Sequence, residues 1–298
     1  MTNFADRLIA AIRQKHSPCI VGLDPRLESM PQFVLNATNT DEGLRRTIAT
    51  FHQLVIDSIA DLVPAIKPQT AFFEQYGIPG LLALADTIAY AHSRGLLVIV
   101  DGKRNDIGST AEAYAKAFLG GGHPSLQGDA LTVSPYLGRD SLMPFVDACQ
   151  KHGTGIFVLV KTSNRGSGDL QDILTGTGEQ KTIYARVAEL VAILGETVTG
   201  SNGYSSIGAV VGATYPEQAA QIRGLLPKAI ILVPGYGAQG GAAKDVVPCF
   251  HPGGQGAIVS ASRSITYELP DLDISEADFQ ILVRARVEKM NADVNAVI

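Results

Sequence analysis

The 298-residue chain has only three cysteines, Cys19, Cys149 and Cys249. They are odd in number, far apart and form no CxxC pair. That excludes a disulfide scaffold and a cysteine zinc site, and it suits a reducing compartment. No window approaches the roughly 18 apolar residues of a membrane-spanning helix. Basic runs and basic helix faces are also missing, and a net charge of −5 with a pI near 5.7 argues against a nucleic-acid surface. No low-complexity linker or shift in composition divides the chain, so one domain over 1–298 is expected, and the 46% apolar content can fill a sizeable core. The stretch MTNFADRLIAAIRQKHS reads as an amphipathic helix rather than a signal peptide, because no long apolar segment follows a basic start. A cytoplasmic location is the expectation.

What the chain does have is a rhythm of short apolar strand, polar loop and amphipathic helix. Strands are expected at 19–23, 65–67, 96–101, 128–133, 155–160, 207–211, 230–233 and 256–260. Helices are expected near 41–61, 79–93, 110–119, 142–151, 179–194, 215–225 and 275–291, with insertions at 30–39 and 163–178. Such alternation implies parallel strands joined by helical crossovers. An open dinucleotide-binding sheet would carry GxGxxG after its first strand, and Gly22-Leu23-Asp24-Pro25 does not match it. The fold class is therefore α/β, a single closed (β/α)8 TIM barrel.

The carboxyl ends of barrel strands converge on one pocket. The first strand brings Asp24 there and the second Lys67. The third ends in Asp101 and Lys103, which alternation puts on one face, with Asp106 just beyond. The fifth brings Lys161, Thr162 and Ser163. Singly these have bland explanations: an Asp before Pro is usually a turn residue, and Lys67 before Pro68 could be a solvated loop lysine. Together they place amines and carboxylates at adjacent strand ends, where chance would scatter them.

The loops after strands seven and eight are glycine-rich and carry Gln239 and Arg263. In barrels this corner often binds phosphate through backbone N–H groups, and an arginine can add a bidentate contact. No His/Cys/Glu cluster with metal spacing lies near these ends, the six histidines fall elsewhere, and no nucleophilic serine elbow is present. No metal is expected.

Asp101-Gly102-Lys103-Arg104-Asn105-Asp106 resembles the DxKxxD signature of the orotidine 5′-phosphate decarboxylase family, and DGKRNDIGSTAEAYA resembles its bacterial subgroup with longer chains. GLDPR, IKPQTAFFE, VLVKTSN, PGYGAQGG and ASRSI extend the likeness along the whole chain. One departure is Ser262-Arg263-Ser264 where many members read GRS. The resemblance implies a homodimeric barrel with shared active sites that converts orotidine 5′-monophosphate to UMP and CO2 without metal or organic cofactor, and no nucleic-acid or membrane partner. By the same likeness Lys103 protonates C6 of the pyrimidine, Asp101 faces the substrate carboxylate, and Lys67 holds the charge network. Asp106 and Thr110 reach the neighbouring subunit's site, Asp24 takes ribose hydroxyls, Ser163 contacts the ring, and Gln239 and Arg263 grip the phosphate.

The residues are suited to that chemistry. Losing CO2 from a ring carbon leaves a poorly delocalised carbanion, which needs a nearby positive charge and a proton source. Lys103 supplies both if neighbouring carboxylates keep it protonated. The competing readings are a metal-dependent sugar-phosphate decarboxylase or synthase, a Schiff-base aldolase using Lys67 or Lys103, and a nucleotide sensor on an inactive barrel. Flanking carboxylates raise a lysine's pKa, which disfavours the aldolase.

Overall fold

The computed structural model describes residues 2–35, 38–178, 180–237 and 240–298. In chain order the strands are β1 Cys19–Leu23, β2 Ala65–Pro68, β3 Leu97–Arg104, β4 Ala130–Val133, β5 Gly155–Lys161, β6 Leu174–Thr175, β7 Lys181–Thr182, β8 Ser205–Val211, β9 Ala229–Val233 and β10 Ala257–Ala261. The expected (β/α)8 barrel forms: parallel pairings close it in the order β1-β10-β9-β8-β5-β4-β3-β2, while β6 and β7 make a separate antiparallel pair. The helices are α1 Phe4–Lys15, α2 Asp41–Ile59, α3 Thr70–Glu74, α4 Gly77–Ser93, α5 Gly108–Leu119, α6 Arg139–His152, α7 Gly168–Gln171, α8 Ile183–Gly195, α9 Pro216–Leu225, α10 Ala243–Val246, α11 Arg263–Thr266 and α12 Glu276–Asn295. Among the described residues, no helix is long and apolar enough to cross a membrane.

Strand alternation divides the core in two. Cys19, Val21 and Leu23 of β1 pack outward under the helices, while Ile20 turns inward with Ile99, Phe157, Ile230 and Ile258. Helix α1 closes the amino-terminal end of that inner cluster with Phe4, Ala5, Leu8 and Ile9. Phe4 meets Phe157 edge-to-face at 6.0 Å. A Cβ on Gly155 would strike the Phe4 ring, so glycine is required there. Arg7 pairs with Asp129, whose other oxygen accepts from the backbone N–H of Val98 at 2.8 Å. One end of the barrel is thus sealed, and the carboxyl end is left for chemistry.

Three expectations need correction. The helix expected at 179–194 begins only at Ile183, because Lys181–Thr182 pair with Leu174–Thr175 as a hairpin. The insertion 163–178 is not a plain loop: it holds a 3-10 turn at Arg165–Ser167, α7 and β6. The third strand does not stop at Asp101 but runs to Arg104, with a register shift against β4 between Val100 and Arg104.

The three cysteines are free and buried, and burial pushes each thiol up to about 12, which makes them chemically quiet. His52 on α2 is fully buried beside Phe51 and Phe73, and that burial lowers its pKa from 6.5 to about 3. As pH falls below 6.5 the unfolded chain takes up a proton that the folded chain refuses, so stability is lost. The loss from this group should be about 2 kcal/mol between pH 7 and pH 5. Urea unfolding of His52→Leu should show a pH dependence shallower by that amount; equal slopes would mean that the native state accepts the proton.

Candidate active site

At the open end of the barrel lies a cavity of about 720 Å³. That is the size of a small-molecule site. Six of the nine candidate residues line it: Asp24, Lys67, Asp101, Lys103, Ser163 and Arg263. Its two walls differ in chemistry. Strands β1 to β4 contribute the charged side, Asp24, Lys67, Asp101, Lys103 and Thr132, while Leu159 of β5, Val210 of β8 and Leu232 of β9 make an apolar side. Such a pocket can hold a flat ring against the apolar wall and hold charge against the other.

The charged wall is one connected chain. Lys67 Nζ donates to Asp101 Oδ2 at 2.9 Å, and Lys103 Nζ donates to Asp101 Oδ1 at 2.6 Å. Thr132 Oγ1 donates to the same Oδ1 at 2.9 Å and accepts from the Lys103 backbone N–H at 2.9 Å. Alternation explains the convergence, since Ala65, Ile99 and Ala130 face inward, and two steps on lie Lys67, Asp101 and Thr132. Thr132 was not foreseen, although the same step from Ala130 could have found it.

Electrostatics fix the charge states. Burial alone would raise the Asp101 carboxyl, yet the Lys67 and Lys103 ammonium groups outweigh it and hold it well below the usual carboxylate range. Burial likewise opposes the Lys67 ammonium, but the Asp101 and Asp24 carboxylates prevail and its pKa stands above the ordinary lysine value. Lys103 sits at φ 44°, a left-handed conformation for a residue with a Cβ, and Asp106 is at φ 137°. Such strain costs of order 1–3 kcal/mol per residue and clusters where function requires geometry. The Thr132 bond to the Lys103 N–H is one restraint that holds it.

The other candidates fare differently. Asp106 is half-buried and Thr110 exposed, and neither lines the cavity. Gln239 lies outside the described residues. Arg263 is exposed at the start of α11. Lys161, expected to point into the pocket, does not. A register shift between Leu159 and Lys161 turns it outward, where it is fully buried, donates to Asp172 Oδ1 at 2.7 Å and Ser167 Oγ at 3.0 Å, and lies over the Tyr215 ring. It anchors the loop that carries Ser163. The cavity also gains Arg26, stacked on Phe72 with its guanidinium 4.3 Å from the ring centroid. GLDPR and IKPQTAFFE contain both residues, but nothing in their spacing announces the stack.

Residues 18–272 match the model of the orotidine 5′-phosphate decarboxylase / HUMPS family. The chain is 48% identical over 300 residues to an orotidine 5′-phosphate decarboxylase of Rhodopirellula baltica, covering 98% of both. It is 44% identical over 268 residues to that of Deinococcus radiodurans, covering 89% of both. Among solved structures it is similar to the Leishmania donovani OMP decarboxylase, with a TM-score of 0.75, 30% identity and 99% coverage of both chains.

The Lys161–Asp172 pair is asymmetric, with the lysine side chain fully buried and the aspartate 43% exposed. Asp172→Ala strands a buried ammonium and should cost roughly 3 kcal/mol. Lys161→Met leaves a carboxylate that water reaches, so it should cost about 1 kcal/mol. Urea unfolding of both variants checks the order; a larger loss for Lys161→Met would contradict it.

Proposed function

The chain belongs to the orotidine 5′-phosphate decarboxylase family, and from that premise we propose that it converts orotidine 5′-monophosphate to UMP and CO2 in pyrimidine biosynthesis, acting over 1–298 as one catalytic barrel domain. The observation that carries the reading is the Lys67–Asp101–Lys103 chain at the adjacent ends of β2 and β3. In this reading the phosphate meets Arg263, the ribose meets Asp24, and the pyrimidine lies on the apolar wall under Ser163, while Gln239 is assigned to the phosphate by the family likeness alone. C6 and its carboxylate then face Lys103 and Asp101.

When the C6–carboxylate bond breaks, its electron pair stays on C6. The ammonium of Lys103 stabilises that developing charge and then transfers a proton to it, giving UMP and a neutral amine that regains its proton from water. Asp101 holds this ammonium in place before the substrate arrives, and Lys67 holds the other oxygen of Asp101. Because the geometry is set in advance, little reorganisation is needed at the moment of reaction. The reading requires no metal and no organic cofactor. It is tested by following orotidine 5′-monophosphate turnover by ultraviolet absorbance in chelator. Activity that vanishes there and returns with magnesium would favour the metal-dependent alternative. Lys103→Ala should fold normally and lose several orders of magnitude in kcat; a near-normal kcat would remove Lys103 from the mechanism.

The reading extends to a homodimer in which Asp106 and Thr110 complete the partner's site. Both lie beyond the cavity of their own chain, and Ile107 and Tyr136 on the flanking loops are 56% and 75% exposed, apolar surface suited to a partner. Two inactive variants, Lys103→Ala and Asp106→Ala, should therefore regain activity on mixing. With random exchange half the dimers are mixed and half their sites intact, so recovery should approach about one quarter of wild type. No recovery after verified exchange would mean that each site is built from one chain.

A further inference from the structure

The hydroxyl of Ser262 has an unusual use. The residue occupies the N-cap position of α11, where a serine normally accepts from the helix's own N–H groups, but its side chain caps nothing. It donates instead to Asp24 Oδ2, across the barrel seam between β10 and β1, at 2.6 Å. The space it crosses is kept open by Gly22, where a Cβ would lie 2.2 Å from the Ser262 Oγ. Gly22 and Ser262 are thus matched in size: one omits a side chain so that the other can reach Asp24.

The backbone of Asp24 is held separately. Tyr267 Oη donates to the Asp24 carbonyl at 2.7 Å and accepts from the Arg26 N–H at 3.0 Å. Tyr267 therefore fixes where Asp24 begins, and Ser262 fixes how its carboxylate is turned. The second oxygen, Oδ1, is buried and without a hydrogen-bond partner. A buried carboxylate oxygen left in that state is costly and demands a partner. Asp24 lines the cavity, so a ligand hydroxyl that displaces what covers Oδ1 would supply that partner.

We propose that Ser262 is a positioning residue: by holding one oxygen of Asp24 it turns the other toward the substrate, and so determines the preference for a ribose that carries its vicinal hydroxyls. The inference rests on the reading of Asp24 as the ribose acceptor.

The test is calorimetric binding of UMP and of 2′,3′-dideoxyuridine 5′-monophosphate, which keeps the base and the phosphate but lacks both hydroxyls. Ser262→Ala should weaken UMP by about fivefold or more, the worth of one hydrogen bond, and leave the dideoxy nucleotide within about twofold. Gly22→Ala, which pushes the hydroxyl off Asp24, should lose the same preference. If Gly22→Ala lowers Tm, the double variant Gly22→Ala/Ser262→Gly removes the clash and should recover Tm without recovering the preference. Equal weakening of both ligands by Ser262→Ala, or no weakening, would overturn the inference, as would a double variant that regains the preference with no hydroxyl present. Asp24→Ala separates the two levels. If it abolishes the preference while Ser262→Ala keeps it, the positioning role alone fails. If Asp24→Ala keeps the preference, the ribose reading of Asp24 fails and the inference with it.

Discussion

The structure of the pocket depends on one carboxylate. Asp101 is buried, and it stays ionised only because Lys67 and Lys103 each donate to a different one of its oxygens. Remove the carboxylate and two ammonium groups would face each other across an interior of low dielectric, where unpaired charge is expensive. The dependence is mutual, since Lys67 keeps its proton against burial through Asp101 and Asp24. A row of alternating charge, each member needed by its neighbours, is more rigid than any isolated pair. Rigidity is what a site requires if it is to meet a developing carbanion without rearranging.

The barrel makes that row possible by isolating it. Its amino-terminal end is filled by α1, with Phe4 against Phe157. The charges sit on β1 to β4, and the apolar wall of Leu159, Val210 and Leu232 stands opposite. Polar groups concentrated on one wall strengthen one another, while the other wall offers a ring the apolar faces of Leu159, Val210 and Leu232. The fold therefore supplies the low-dielectric setting, and the strand ends supply the charges.

Much of this was legible in the sequence, for a physical reason. Strands buried on both faces must be apolar and short, so all eight barrel strands stand out between polar loops. Side chains alternate along a regular strand, so Lys67 and Asp101 could be placed in the interior from position alone. What escaped were features without periodicity. The β6–β7 hairpin has two residues per strand, too few to show a pattern. The stack of Arg26 on Phe72 joins residues 46 positions apart (72 − 26), and only tertiary packing creates it.

The most consequential of these hidden features are the two register shifts, because they determine how much positive charge the pocket carries. On β3 the shift lies between Val100 and Arg104, and it leaves both Asp101 and Lys103 pointing inward, with Lys103 in a left-handed conformation tied to Thr132. On β5 the shift lies between Leu159 and Lys161, and it rotates Lys161 away from the pocket into a pairing with Asp172. Without the second shift, alternation from Leu159 would put a third ammonium inside the pocket. One irregularity thus assembles the charge row, and the other keeps it from being overcrowded while using the displaced lysine to anchor the loop that bears Ser163.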